Sequence, residues 1–243
     1  MSAEAMRAAD DVVIMEQWAA GEGGDGPGSG VSVVPPLAEE TLAALECGER
    51  AAAGVRLEVP GIVGLLTIRA DPARTALAHA LEGAFGLALA ERLSSVAREG
   101  LRLRWMSPDE WLLSCAAPAA TDLERRLRAA LGEGATENEN GARGGPFAIT
   151  NVTGGWCVFT LGGPAALDVL AKSTSLDVDP RVFPPGRVAS TLFAKTVATL
   201  GNLGEGRYEI ICRRSFADYV ARWIATAARE PGLALERADE EGA

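Results

Sequence analysis

A single histidine, four cysteines and a dispersed set of carboxylates are the groups in this 243-residue chain that could move protons, attack a substrate or hold a metal. Any Ser-His-Asp relay would have to run through His79, and a multi-histidine metal site is excluded. His79 lies two residues after Leu77 and two before Leu81 on a predicted helix, turned away from their apolar face, so it reads as a solvated helix histidine. Cys47, Cys115, Cys157 and Cys212 show no Cys-x-x-Cys spacing, which suggests neither a zinc site nor a secreted disulfide framework. Three of them fall in predicted strands, where a thiol serves as a small apolar group. Asp177-Val-Asp179-Pro180 has too few spaced oxygen ligands for calcium and fits a turn closed by Asx hydrogen bonds.

Two motif matches dissolve in context. Gly21-Glu-Gly-Gly-Asp-Gly26 follows the apolar run Val12-Val-Ile-Met15 and satisfies Gly-x-Gly-x-x-Gly. Pro27, Gly28 and Gly30 come next, so no helix begins there to aim its amides at a phosphate. Asn151-Val-Thr153 is a glycosylation sequon beside Gly154-Gly155, but no secretory signal precedes it and it reads as a strand end. What remains is arginine beside aromatic side chains. Arg213, Arg214 and Arg222 form a candidate interface, since guanidinium groups pair carboxylates across protein contacts. Trp105, Trp111, Trp156 and Trp223 are candidate core residues, with a partner contact as the second possibility.

A formal net charge of −10 opposes binding to phosphate backbones and anionic lipid, so neither nucleic acid nor membrane is an expected partner. No stretch is apolar for long enough to span a bilayer, and the N-terminal residues, with Glu4 and Asp10, do not read as a signal peptide. A cytoplasmic protein is expected.

The elements that must position these residues follow from periodicity. Residues 1–36 read as a flexible extension, glycine-rich between Gly21 and Pro36, and residues 133–146 as a second linker. Residues 231–243 are expected to be a mobile tail. Between them, residues 37–230 form one α+β domain of two halves, about 55–132 and 147–230. Each half begins with an apolar strand and a proline-opened helix, at Pro72 in one and Pro164 in the other. Two further strands follow, 101–106 and 110–115 in the first half, 191–200 and 207–212 in the second. A closing helix completes each half, capped by Thr121-Asp-Leu-Glu124 or by Ser215. Extra strands are expected at 55–59 and 147–152. The pattern predicts two pseudo-repeated strand-helix-strand-strand-helix halves, with antiparallel sheets covered by helices on one face.

Four segments in order resemble the sarcosine oxidase gamma subunits: Trp105-Met-Ser-Pro-Asp-Glu-Trp-Leu-Leu113; Gly154 through Lys172 with its Leu161-Gly-Gly-Pro-Ala-Ala-Leu core; Phe183-Pro-Pro-Gly-Arg187; and Arg213-Arg-Ser-Phe-Ala-Asp-Tyr219. The likeness runs from about Leu57 to Ala228, and the sequence departs from the family pattern at Asn151, at Val197-Ala-Thr-Leu-Gly-Asn202 and in the N-terminal extension. The resemblance implies a non-catalytic subunit with no catalytic, cofactor or metal residues of its own. It also implies alpha, beta and delta partner subunits that carry FAD, FMN, NAD, tetrahydrofolate and zinc and demethylate sarcosine oxidatively. It implies a fold similar to the folate-binding domain of the glycine-cleavage T protein. An independent folate- or small-ligand-binding protein of that type is the alternative.

Overall fold

Leu101-Arg-Leu-Arg-Trp and Tyr208-Glu-Ile-Ile-Cys put alternate side chains on opposite faces, as a half-buried strand requires. Both are strands in the computed structural model, which describes residues 36–45, 53–59, 61–71, 75–133 and 147–237. These all lie in one compact unit, Pro35–Ala243.

The chain runs through α1 (Glu39–Leu45), β1 (Val55–Val59), β2 (Val63–Ala70), α2 (Thr75–Phe85), β3 (Ser95–Arg98), β4 (Leu101–Ser107), β5 (Glu110–Ala116) and α3 (Ala120–Glu133). It continues through β6 (Phe147–Asn151), β7 (Trp156–Gly162), α4 (Ala166–Ser173), β8 (Val188–Phe193), β9 (Thr196–Gly204), β10 (Arg207–Arg213), α5 (Ala217–Ala227) and β11 (Leu233–Arg237). Each half is therefore strand-strand-helix-strand-strand-strand-helix.

The strands form a six-stranded sheet, β11-β1-β7-β10-β9-β8, and a five-stranded sheet, β3-β4-β5-β2-β6. Every pairing between named strands is antiparallel except β1 with β11. The halves exchange their leading strands. β1, which opens the first half, pairs with β7 of the second, and β6, which opens the second, pairs with β2 of the first.

Helices cover the outer face of each sheet. Leu57, Phe159, Leu161, Ile210 and Cys212 pack with Val169, Val220 and Ile224 of α4 and α5. Leu66, Ile68, Leu103, Trp111 and Leu113 pack with Leu77, Leu81, Leu123 and Leu127 of α2 and α3. The inner faces meet each other through Leu65, Leu112, Val158 and Ile211. The result is a helix-sheet-sheet-helix sandwich, the layering expected when each sheet has two apolar faces to bury.

Several expectations need correction. The segment 191–200 is not one strand, because Ala194, in the left-handed region at φ 52°, turns the chain between β8 and β9. Residues 233–237, expected in the tail, form β11 and register with β1 from Val55 opposite Leu233 to Val59 opposite Arg237. The short strand β3 was not anticipated. Neither Thr121 nor Ser215 caps its helix: a 3₁₀ turn, Ala117–Ala119 or Arg214–Phe216, feeds directly into α3 and α5, so the helix is already under way at the supposed cap. Pro164 precedes the helix α4, which starts at Ala166 after Ala165. There Gly163, at φ +104°, is pressed so close to the Gly54 carbonyl that a Cβ would sit 2.6 Å from it. Glu133, expected to open the second linker, ends α3, and Pro72, Cys47, the glycine-rich extension up to Val34-Pro35 and residues 134–146 of that linker lie outside the described residues.

Candidate functional site

The inner face of the six-stranded sheet is where charged, aromatic and apolar side chains converge. Strand register fixes its rows. Ser190 pairs with Thr199, Thr199 with Ile211, and Ile211 with Val158. Ile211 and Val158 of this row lie under the five-stranded sheet. Two residues along every strand, Leu192 pairs with Val197 and Arg213 with Trp156. Continuing the β9–β10 register by one residue from Cys212 opposite Ala198 sets Val197 beside Arg213.

This outer row is not covered. Leu192 is 58% and Val197 63% exposed, against 0% for Ile211 one row in. Arg213 is exposed and sits over the half-buried Trp156 indole, its guanidinium carbon 4.1 Å from the ring centroid. Trp156 in turn packs against the inter-sheet cluster.

Deeper between the sheets lies an ion pair that joins the halves. Arg104 Nε donates to Glu209 Oε2 at 2.6 Å and Nη2 to Oε1 at 2.5 Å, while Nη1 donates to Ser114 Oγ at 2.9 Å and to the Arg102 carbonyl at 3.1 Å. Arg104 is 2% and Glu209 5% exposed. Both charges are desolvated, and the bidentate fork with its two extra acceptors offsets that cost. The pair forms one wall of an open cavity of about 460 Å³ with Arg102, Ser114, Val158 and Thr160. Burial lowers the basicity of Arg102, and the nearby Arg104 and Arg207 cations add to the effect while Glu209 opposes it.

The three arginines singled out by sequence are not one cluster. Arg213 and Arg214 follow each other at the end of β10, and Arg214 lines a small recess with Pro36, Thr153, Trp156 and Cys157. Arg222 belongs to the surface of α5. Its Nε donates to both Asp218 oxygens at 3.0 and 2.9 Å and its Nη2 to Thr41 Oγ1 at 3.3 Å, tying α5 to α1. The Arg222 and Thr41 hydrogen bonds hold the Asp218 carboxyl below its ordinary range.

The other polar candidates have structural surroundings. His79 is exposed on α2. Cys115, Cys157 and Cys212 are buried free thiols. Burial pushes Cys115 up to about 11 and Cys212 up to about 12, and it raises Cys157 as well. Asp177 Oδ1 accepts from the Asp179 amide and Asp179 Oδ1 from the Arg181 amide, the Asx turn expected there. Asn151 Oδ1 likewise accepts from the Thr153 amide and hydroxyl. No group of three His, Cys, Asp or Glu side chains suited to a metal occurs among the described residues. Trp111 is buried, its Nε1 donating to the Ala90 carbonyl at 3.0 Å, and Trp223 donates to Ser173 Oγ at 3.0 Å.

Sequence reasoning missed the Arg104–Glu209 pair and the exposed Leu192–Val197 pair. A two-residue alternation would have marked Leu192 and Val197 once the Ala194 turn was placed, whereas nothing local links Arg104 to Glu209.

Comparison with known proteins agrees with this architecture. Residues 69–230 match the sarcosine oxidase, gamma subunit family. The chain is 31% identical over 195 residues to sarcosine oxidase subunit gamma of an Arthrobacter species, covering 79% of this chain and 89% of that protein. It is 33% identical over 197 residues to the same subunit of Corynebacterium sp. (strain U-96), covering 80% and 87%. Among solved structures it superposes on a chain of the heterotetrameric sarcosine oxidase from Corynebacterium sp. U-96 with TM-score 0.68 and 30% identity, covering 83% of this chain and 97% of that one. Its fold is also similar to the glycine cleavage system aminomethyltransferase T of Bartonella henselae, with TM-score 0.53 at 16% identity over 77% of this chain and 49% of that one. A two-half α+β sandwich matched along nearly the whole length of such a subunit places this chain in the sarcosine oxidase gamma subunit family.

Proposed function

We propose that this chain is the non-catalytic gamma subunit of a heterotetrameric sarcosine oxidase. Its partners would be the alpha, beta and delta subunits, in the cytoplasm. In this reading FAD, FMN, NAD, tetrahydrofolate and zinc are held by those partners. They oxidise sarcosine to glycine and hydrogen peroxide and deliver the one-carbon unit to tetrahydrofolate. The observation that carries the reading is the match along 97% of one chain of the Corynebacterium heterotetramer.

The residues fit a supporting role. The three described thiols are held protonated by burial. The buried carboxylate between the sheets, Glu209, has both oxygens committed to Arg104. Arg213, at the open end of β10, is the arginine best placed to meet a partner. Arg214 beside it lines the adjoining recess, and Arg222 is engaged by Asp218. An independent folate-binding protein is not favoured, because the likeness to the aminomethyltransferase spans only 49% of that chain and is one of fold.

A tagged chain purified gently from its own cells tests the proposal. The expected result is a yellow complex with three co-purifying chains, bound zinc and sarcosine-dependent peroxide production. A colourless single chain that binds tetrahydrofolate in a calorimeter would overturn it.

A further inference from the structure

We propose that the row Leu192–Val197–Arg213–Trp156 is the surface on which a partner subunit docks, and that the partner presents a carboxylate to Arg213 within an apolar rim. This rests on the subunit reading above. Register places the row across four adjacent strands on the face that buries Ile211 and Val158. The layer between the sheets therefore continues beyond the covering sheet, and its last row is left open with Leu192 and Val197 more than half exposed. Adjacent apolar side chains beside a tryptophan and an arginine have the composition that anchors protein contacts.

Charge selects the occupant. Several exposed arginines meet carboxylates on this chain, Arg69 with Asp109 at 2.8 Å, Arg181 with Asp179 at 2.6 Å and Arg207 with Glu58 at 3.0 Å, whereas Arg92, Arg187, Arg229 and Arg213 do not among the described residues, and of these four Arg213 is the one set over an aromatic ring beside exposed apolar side chains. Arg213 has no such partner among the described residues, although the chain carries a net charge of −10. Its guanidinium carbon sits 4.1 Å over the Trp156 ring centroid, a cation–π contact that gives its N–H donors no carboxylate acceptor. Those donors suit a bidentate carboxylate, and the ring contact helps to hold the side chain in place. A second copy docking by the same row would set arginine against a surface with no carboxylate, so the geometry points to a different chain.

The test uses the full chain co-expressed with the other three subunits, with the affinity tag on a partner and retained gamma chain measured after size exclusion. Val197→Glu and Arg213→Glu are each expected to weaken retention at least tenfold, and Arg213→Lys to recover part of it. Val182→Glu, at an equally exposed apolar residue outside the row, is expected to behave as wild type. Full retention of Val197→Glu and Arg213→Glu, with wild type assembling normally, would overturn the docking surface while leaving the subunit reading intact. Absence of wild-type retention would overturn the subunit reading itself. A benzophenone amino acid at Leu192 supplies a readout independent of any charge effect on folding. A crosslink to a partner chain supports the surface, and none in an assembled complex overturns it.

Discussion

Arg104 and Glu209 show how much can rest on two residues. Removing one partner leaves a desolvated charge, so Glu209→Gln is expected to cost about 3–5 kcal/mol in urea unfolding, and a paired Arg104→Met, Glu209→Leu replacement much less. Asp218 provides a pH test. Its folded carboxyl is depressed, so its contribution is complete above the ordinary aspartate range and is lost as pH falls toward the folded value. The stability gap between wild type and Asp218→Asn is therefore expected to close as pH falls through and below the ordinary aspartate range of about 4. The buried thiols of Cys115, Cys157 and Cys212 should resist iodoacetamide at pH about 8 and become labelled only as the protein unfolds, as peptide mapping would show. The thiol roles were legible from their strand positions. The ion pair was not, because Leu101-Arg-Leu-Arg alternates like a solvent-facing strand and the carboxylate lies 105 residues away.

At the scale of elements, hairpins with conventional punctuation were readable: Pro108-Asp109 separates β4 from β5 as Glu205-Gly206 separates β9 from β10. The β8–β9 turn was hidden because Ala194 carries no turn signal. It is held left-handed by tertiary contacts, its amide donating to the Ser173 carbonyl at 2.6 Å. Ala194→Gly is expected to be neutral or to stabilise by up to about 1 kcal/mol in thermal unfolding, since glycine adopts this conformation without strain. The strand β11 was hidden for another reason: Leu233-Ala-Leu is too short to read alone and becomes a strand only against β1. Leu235 is buried there, and Leu235→Ala is expected to cost about 2–5 kcal/mol.

For the whole molecule, the repeat was legible as a succession of periods, whereas its closure was not, because strand exchange is a property of partners distant in sequence. Since β1 completes the second half's sheet and β6 the first half's, neither half owns a complete sheet. A single cooperative urea transition is expected for residues 37–237, and neither 53–133 nor 147–237 should show sharp unfolding alone. Two independent transitions, or a stable isolated half, would contradict that view. The order of strands also sets a timetable for a growing chain on the ribosome. β1 emerges first among the described strands, yet it is flanked in the finished sheet by β7 and by β11, the last of them made. At about 5–20 residues per second, the edge that meets β7 stays open for roughly 5–20 seconds of translation and the edge that meets β11 for roughly 10–35 seconds. During that wait Val55, Leu57 and Val59 are an apolar strand without neighbours, a natural place for a chaperone to hold the nascent protein.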